Sequence, residues 1–224
     1  MTTVQAPNLP DIVPSGPRFL YLHGFASGPR SAKGVAFAAH YAERGITVDC
    51  LDLRVPSFEH LRLSAMLDAV RVAIGGADDR AIVFGSSLGG LTAARVAARD
   101  PRVTGLVLLA PAFQLISRWR ALPGFDAWQR TGWREVHDYT TGQPARIDFG
   151  FIEDAEAIDT GFPDVQVPTL ILHGIDDDTV PIEHSRRFAA GRANVTLVEL
   201  RDDHQLVASI PRLLAESDRF LASL

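Results

Sequence analysis

Gly85-Ser86-Ser87-Leu88-Gly89 sets a serine two residues from a glycine on either side. The apolar run Ala81–Phe84 ends directly in this pentapeptide, and helix-forming residues follow from Gly90 to Asp100. A strand, a sharp turn and a helix in that order lift a serine hydroxyl clear of a sheet, where it can attack an acyl carbon. Such a turn forces strained backbone angles, and its glycines keep side chains out of a crowded bend. The N-terminus of the following helix lends partial positive charge to the oxyanion that forms. The competing reading is an ordinary Gly/Ser turn; the flanks favour a nucleophile, Ser87. Ser86 misses the pattern, because Phe84 stands two residues before it.

Serine needs a base to attack. After an elbow of this kind the chain supplies an acid and then a histidine. Of seven histidines, His23, His40 and His60 come too early. His137 lies in a long insertion, His173 ends a strand, and His184 falls on an expected helix just after Pro181. His204 remains, just past the last strand, in the kind of loop where a parallel sheet presents its catalytic groups. The acid belongs after the preceding strand, where Asp176, Asp177 and Asp178 are adjacent. One of them would orient His204; the others would serve a turn or a helix start. For the oxyanion, Leu88 offers the N–H after the nucleophile. Phe25 offers a second, from the loop His23-Gly24-Phe25, where Gly24 lets the backbone approach a substrate oxygen. The His23 imidazole reads as a structural group.

These residues need a frame. Six short apolar runs, Arg18–Leu22, Thr47–Leu51, Ala81–Gly85, Val103–Leu109, Pro168–His173 and Val195–Leu200, read as strands covered on both faces. Helices are expected between them at Lys33–Arg44, Leu88–Arg99, Ile182–Ala190 and Pro211–Leu221. In another, Leu63, Met66, Leu67, Val70 and Ile74 fall on one helical face, closed by Gly75-Gly76. Ser31 reads as a cap for the first helix. This alternation implies a mostly parallel sheet of about six strands with helices on both faces. It breaks once, over about residues 112–166, which hold Trp119, Trp128 and Trp133. So long a connection suggests a function. We read it as a cap over the site, helical near Gln114–Ala121 and Phe125–Arg134, with the three tryptophans binding substrate.

The 224 residues suit one domain at 18–224 behind an irregular, proline-rich arm at 1–17. A net charge of −5 gives no electrostatic reason to expect nucleic acid. The single cysteine, Cys50, permits no internal disulfide and no cysteine-built metal site. No apolar run approaches the roughly 20 residues of a membrane span. With no signal sequence to read at the start, the expectation is a cytoplasmic protein. Oligomeric state is not legible.

Taken together, His23–Phe25, Gly85–Gly89, His173–Pro181 and Asp202–His204 resemble the oxyanion loop, elbow, acid loop and histidine loop of the α/β-hydrolase superfamily. Within it, Tyr21–Gly34 most resembles small bacterial YqiA-like esterases. In hydrolases that the acid loop resembles, the acid lies three residues after the glycine of HG and four before the proline of VP. Both counts land on Asp177, while spacing alone leaves Asp176 open. The resemblance implies hydrolysis of small-molecule carboxylic esters or thioesters through an acyl-enzyme, with no cofactor and no metal. Acyl transfer, peptide cleavage and C–C hydrolysis use the same triad, and a small-molecule binding protein on a hydrolase scaffold is the reading from another class. The superfamily's full sheet has eight strands; the first two have no counterpart here.

Overall fold

Alternation along the strands divides the interior into two cores. A computed structural model describes residues 16–224, so the arm at 1–17 lies outside the described residues but for Gly16 and Pro17. The elements run β1 Arg18–Leu22, α1 Ala32–Ala42, β2 Val48–Leu51, α2 Leu63–Ile74, β3 Ala81–Ser86, α3 Leu88–Ala97 and β4 Val103–Leu109. Next come α4 Leu115–Arg120, α5 Phe125–Thr131, β5 Trp133–Asp138, β6 Gln143–Asp148 and α6 Gly150–Glu156. The chain closes with β7 Thr169–Gly174, α7 Glu183–Ala189, β8 Val195–Leu200 and α8 Ile210–Leu221.

Six strands form one parallel sheet in the order β2-β1-β3-β4-β7-β8. Among the described residues this is the α/β-hydrolase fold without its antiparallel edge, so β2 and β8 are the borders of the described sheet. Leu20, Leu22, Val83, Leu106, Leu108 and Ile171 point to one face, beneath α2, α3 and α7. Their neighbours Phe19, Tyr21, Phe84, Val107 and Leu172 point to the other, beneath α1 and α8. The α2 stripe Leu63, Met66, Leu67, Val70 and Ile74 is buried, as its spacing requires, while Val72 on the opposite face is exposed. Ser31 caps α1 by accepting from the Gly34 N–H.

Residues between β4 and β7 depart from the expected pair of helices. Gly132 adopts a left-handed φ of 77° and stops α5 three residues early. Trp133 and Arg134 then open a hairpin, β5 against β6, antiparallel and separate from the main sheet. Trp128, Ile147, Phe151 and Ile152 from this region join the core under the sheet. It therefore packs as part of one body. Among the described residues no helix is long and apolar enough to cross a membrane.

Candidate active site

The elbow forms at the carboxyl end of β3. Ser87 sits at φ 52°, ψ −114°, a conformation costing about 1–3 kcal/mol for a residue with a Cβ. Its surroundings hold it there: its N–H donates to the Leu109 carbonyl at 2.9 Å, and its carbonyl accepts from Leu91 and Ala112, both at 3.0 Å. A Cβ on Gly85 would stand 2.5 Å from the Gly89 carbonyl oxygen, and one on Gly89 would strike the Leu22 and His23 carbonyls. Glycine at both positions is a steric requirement of this turn.

The loops after β7 and β8 bring two groups to Ser87. His204 Nε2 lies 3.0 Å from Ser87 Oγ, and His204 Nδ1 lies 2.7 Å from Asp177 Oδ2. Asp177 Oδ2 also accepts from His173 Nε2 at 3.0 Å, while Oδ1 accepts from the Thr179 and Val180 N–H groups at 2.9 and 2.7 Å. Burial pushes the Asp177 carboxyl up, but the bonds from His173, His204 and Val180 outweigh it and hold the group well below the usual carboxylate range. An ionised Asp177 takes the proton of His204 Nδ1 as its hydrogen bond. The lone pair of Nε2 is then left facing Ser87, the tautomer a general base needs. Asp176 and Asp178 are exposed, and neither touches His204. The expected capping scheme is displaced: α7 begins at Glu183, after Pro181, and Asp177 itself holds the N–H groups of the turn before it.

His173, passed over in the sequence because it ends a strand, is wholly buried behind the acid. Its Nδ1 lies 2.7 Å from Ser185 Oγ, and its Nε2–H is shared between Asp177 and the Val180 carbonyl at 2.9 Å. The only sequence signal for this role is its place at the head of the acid loop. His23 is structural as expected: Nε2 accepts from the Leu53 N–H at 3.0 Å and Nδ1 faces the Gly24 carbonyl at 2.8 Å. Burial pushes it towards the neutral form. Gly24 packs against the nucleophile, so that a Cβ there would lie 3.3 Å from that of Ser87. The N–H groups of Phe25 and Leu88, at the Gly24 loop and the start of α3, have no acceptor among the described residues.

A cleft of about 470 Å³ opens over Ser87 and His204. Phe25 and Leu88 line it, as do Trp119 from α4 and Tyr139 from the hairpin turn. The Tyr139 N–H donates to the Ala26 carbonyl at 2.9 Å, which docks the hairpin on the Gly24 loop. Trp119 stands edge-on to Phe25 with ring centres 5.1 Å apart. The other tryptophans do not reach the cleft. Trp128 is buried under Trp119 among Phe125 and Phe149, so its size serves the core. Trp133 lies out on β5, where the Arg146 guanidinium covers its ring at 4.2 Å. Among the described residues no group of three or more His, Cys, Asp or Glu side chains is arranged to hold a metal.

Residues 18–216 match the family described as uncharacterised protein family UPF0227. No curated protein matches the chain. Several solved structures are similar. Alpha/beta hydrolase domain-containing protein 10 from mouse has 23% identity and a TM-score of 0.77, over 92% of this chain and 90% of its own. Est1E from Butyrivibrio proteoclasticus, with ferulic acid bound, has 22% identity and a TM-score of 0.70, over 92% and 90%. A pyrethroid hydrolase from Sphingobium faniae JZ-2 has 21% identity and a TM-score of 0.61, over 92% and 97%. At such identities the likeness is one of fold, and that fold is the α/β-hydrolase fold.

Proposed function

From its membership of the UPF0227 family, to which this chain belongs, we propose that it is a serine hydrolase acting on carboxylic esters or thioesters. The observation that carries this reading is the unbroken chain from Ser87 Oγ through His204 to Asp177, at 3.0 and 2.7 Å. As His204 Nε2 takes the hydroxyl proton, Oγ bonds to the acyl carbon. Charge moves onto the carbonyl oxygen, which the N–H groups of Phe25 and Leu88 receive. The bond to the leaving alcohol or thiol then breaks, and His204 returns its proton to that group. Water repeats the sequence on the acyl-enzyme, freeing the acid and Ser87. Asp177 stays ionised throughout and stabilises the imidazolium. Pre-strained geometry at Ser87 favours this reading over a binding protein on the same scaffold, since a ligand site has no use for an aligned base.

The test is Ser87→Ala. It should remove labelling by a fluorophosphonate and lower kcat on 4-nitrophenyl acetate by about 10⁶-fold, the scale seen when a serine protease loses its nucleophile. Activity kept within tenfold, in a folded variant, sinks the assignment.

A further inference from the structure

Charge in the cleft runs against the charge of the chain. The protein carries a net −5, yet the cleft is lined by Arg30, Lys33 and Arg118 and by no carboxylate. Among the described residues none of these three cations has a carboxylate within ion-pair distance. Arg118 is held only by carbonyl oxygens, at 2.9 Å from Thr179 and 3.4 Å from Phe113. Lys33 is only 8% exposed, and its Nζ donates to the Gln205 carbonyl at 2.5 Å. Burial pushes it down to about 8, so it is still mainly charged at neutral pH. Asp177, Asp202 and Asp203 lie near enough to favour that charge without pairing with it. Burying an ammonium beside one neutral acceptor is costly, and such a group is completed by an anion.

Lys33 does not stand alone. It lies in the first turn of α1, an 11-residue helix with no acidic residue in that turn. Ser31 Oγ accepts from the Gly34 N–H and its carbonyl from the Val35 N–H, while the N–H groups of Ala32 and Lys33, both of which line the cleft, have no acceptor among the described residues. The Tyr21 hydroxyl forms part of this wall. It is buried beside the Ser31 and Ser86 hydroxyls and closes a hydrogen bond with neither. Burial keeps it protonated, so it remains a donor. Arg30, exposed, guards the rim.

The seat's position says which half of the substrate it serves. Lys33 grips the residue next to His204, and His204 Nε2 must hand its proton to the leaving group. Lys33 and His204 line the same cleft as Ser87, which sets the ammonium within the space that the leaving group must cross. Resting on the hydrolase reading above, we propose that the substrate's leaving alcohol or thiol bears an anionic group, a carboxylate or phosphate, which binds Lys33, Arg30 and the N-terminus of α1.

Two esters that share an acyl group test this: 4-nitrophenyl acetate and its anionic counterpart 3-carboxy-4-nitrophenyl acetate, each kcat/KM divided by the ester's rate with hydroxide. The anionic ester should be favoured about 10- to 100-fold, the scale of a desolvated charge-assisted bond. Lys33→Met should bring that ratio to within about threefold of one, and Lys33→Arg should keep part of it. Any disturbance of the His204 loop affects both esters and cancels in the ratio. Arg30→Glu, on an exposed side chain, should lower the ratio without threatening the fold. A wild-type ratio of one or less, or one that both Lys33→Met and Arg30→Glu leave unchanged, overturns the anion seat while the hydrolase reading stands. No turnover of either ester, with Ser87 unlabelled by a neutral fluorophosphonate, overturns both.

Discussion

Replacing Asp177 by Asn changes one atom and should nearly silence the enzyme. The Thr179 and Val180 N–H groups, at 2.9 and 2.7 Å from Oδ1, demand an oxygen on their side of the amide. The amide nitrogen must then face His204 Nδ1 and His173 Nε2, where Oδ2 stood at 2.7 and 3.0 Å. His173 can turn its proton wholly to the Val180 carbonyl. His204 has only one response, to accept at Nδ1 and carry its proton on Nε2. Ser87 then meets a donor instead of a base. The opposite amide orientation sets an NH₂ against two backbone N–H groups in a buried site, each clash leaving a donor unpaired at a cost of about 1–3 kcal/mol. The same change in a serine protease lowers kcat about 10⁴-fold through the wrong tautomer, equal to about 5.4 kcal/mol of barrier. We expect that magnitude here, because exposed Asp176 and Asp178 have no path to His204. The assay is steady-state hydrolysis of 4-nitrophenyl acetate, with circular dichroism and urea unfolding to establish the fold. Asp176→Asn and Asp178→Asn should stay within about threefold of wild type. A folded Asp177→Asn enzyme that keeps a tenth of its kcat, or a greater loss at Asp176, refutes the tautomer argument.

Ser87→Gly should raise the urea unfolding free energy by about 1 kcal/mol, since relief of the strained φ exceeds the added chain entropy; a loss of stability counts against strain at the elbow. Trp128→Ala should cost about 3–5 kcal/mol of stability as a buried ring is lost. Trp119→Ala should instead change relative kcat/KM across esters of graded acyl length at least threefold, and Trp133→Ala should do neither; a preference shift at Trp128 or Trp133 alone would reverse these roles. Because Asp177 has a folded pKa below its unfolded value, the stability it contributes is full above about pH 4 and is lost as the pH falls towards the folded value. Urea titrations of wild type and Asp177→Asn should therefore converge in acid; parallel curves contradict the assignment.

What was legible in the sequence followed periodicity and local context. Strands buried on both faces read as apolar runs, and β1, β4 and β8 occupy the residues those runs mark. The elbow was visible because strand, glycines and helix are contiguous. Asp177 came from a count along a loop, and the geometry distinguishes it from Asp176 by burial. The hairpin β5–β6 escaped notice because its strands carry arginine, glutamate and Pro144 in place of an apolar alternation, and because its cohesion comes from contacts such as Arg146 on Trp133. Lys33 was invisible for a different reason: its partner carbonyl lies 172 residues away, and no local pattern announces a pairing across that distance. The tryptophans show that residue type alone does not separate a cleft wall from a core, since Trp119 and Trp128 pack against each other at a tilt and only one meets the cleft.

Among the described residues the sheet begins at β2, and such a border offers a row of N–H and C=O groups to any extended chain that passes, the usual route to aggregation. Here that row is only four residues long, and Asp49 stands exposed in its middle. At the far border, β8 exposes Glu199, which Arg186 clamps with two bonds of 2.7 and 2.8 Å. A foreign strand would have to settle against a carboxylate on either side. Brevity and charge at β2, and charge at β8, thus guard the two borders of the described sheet.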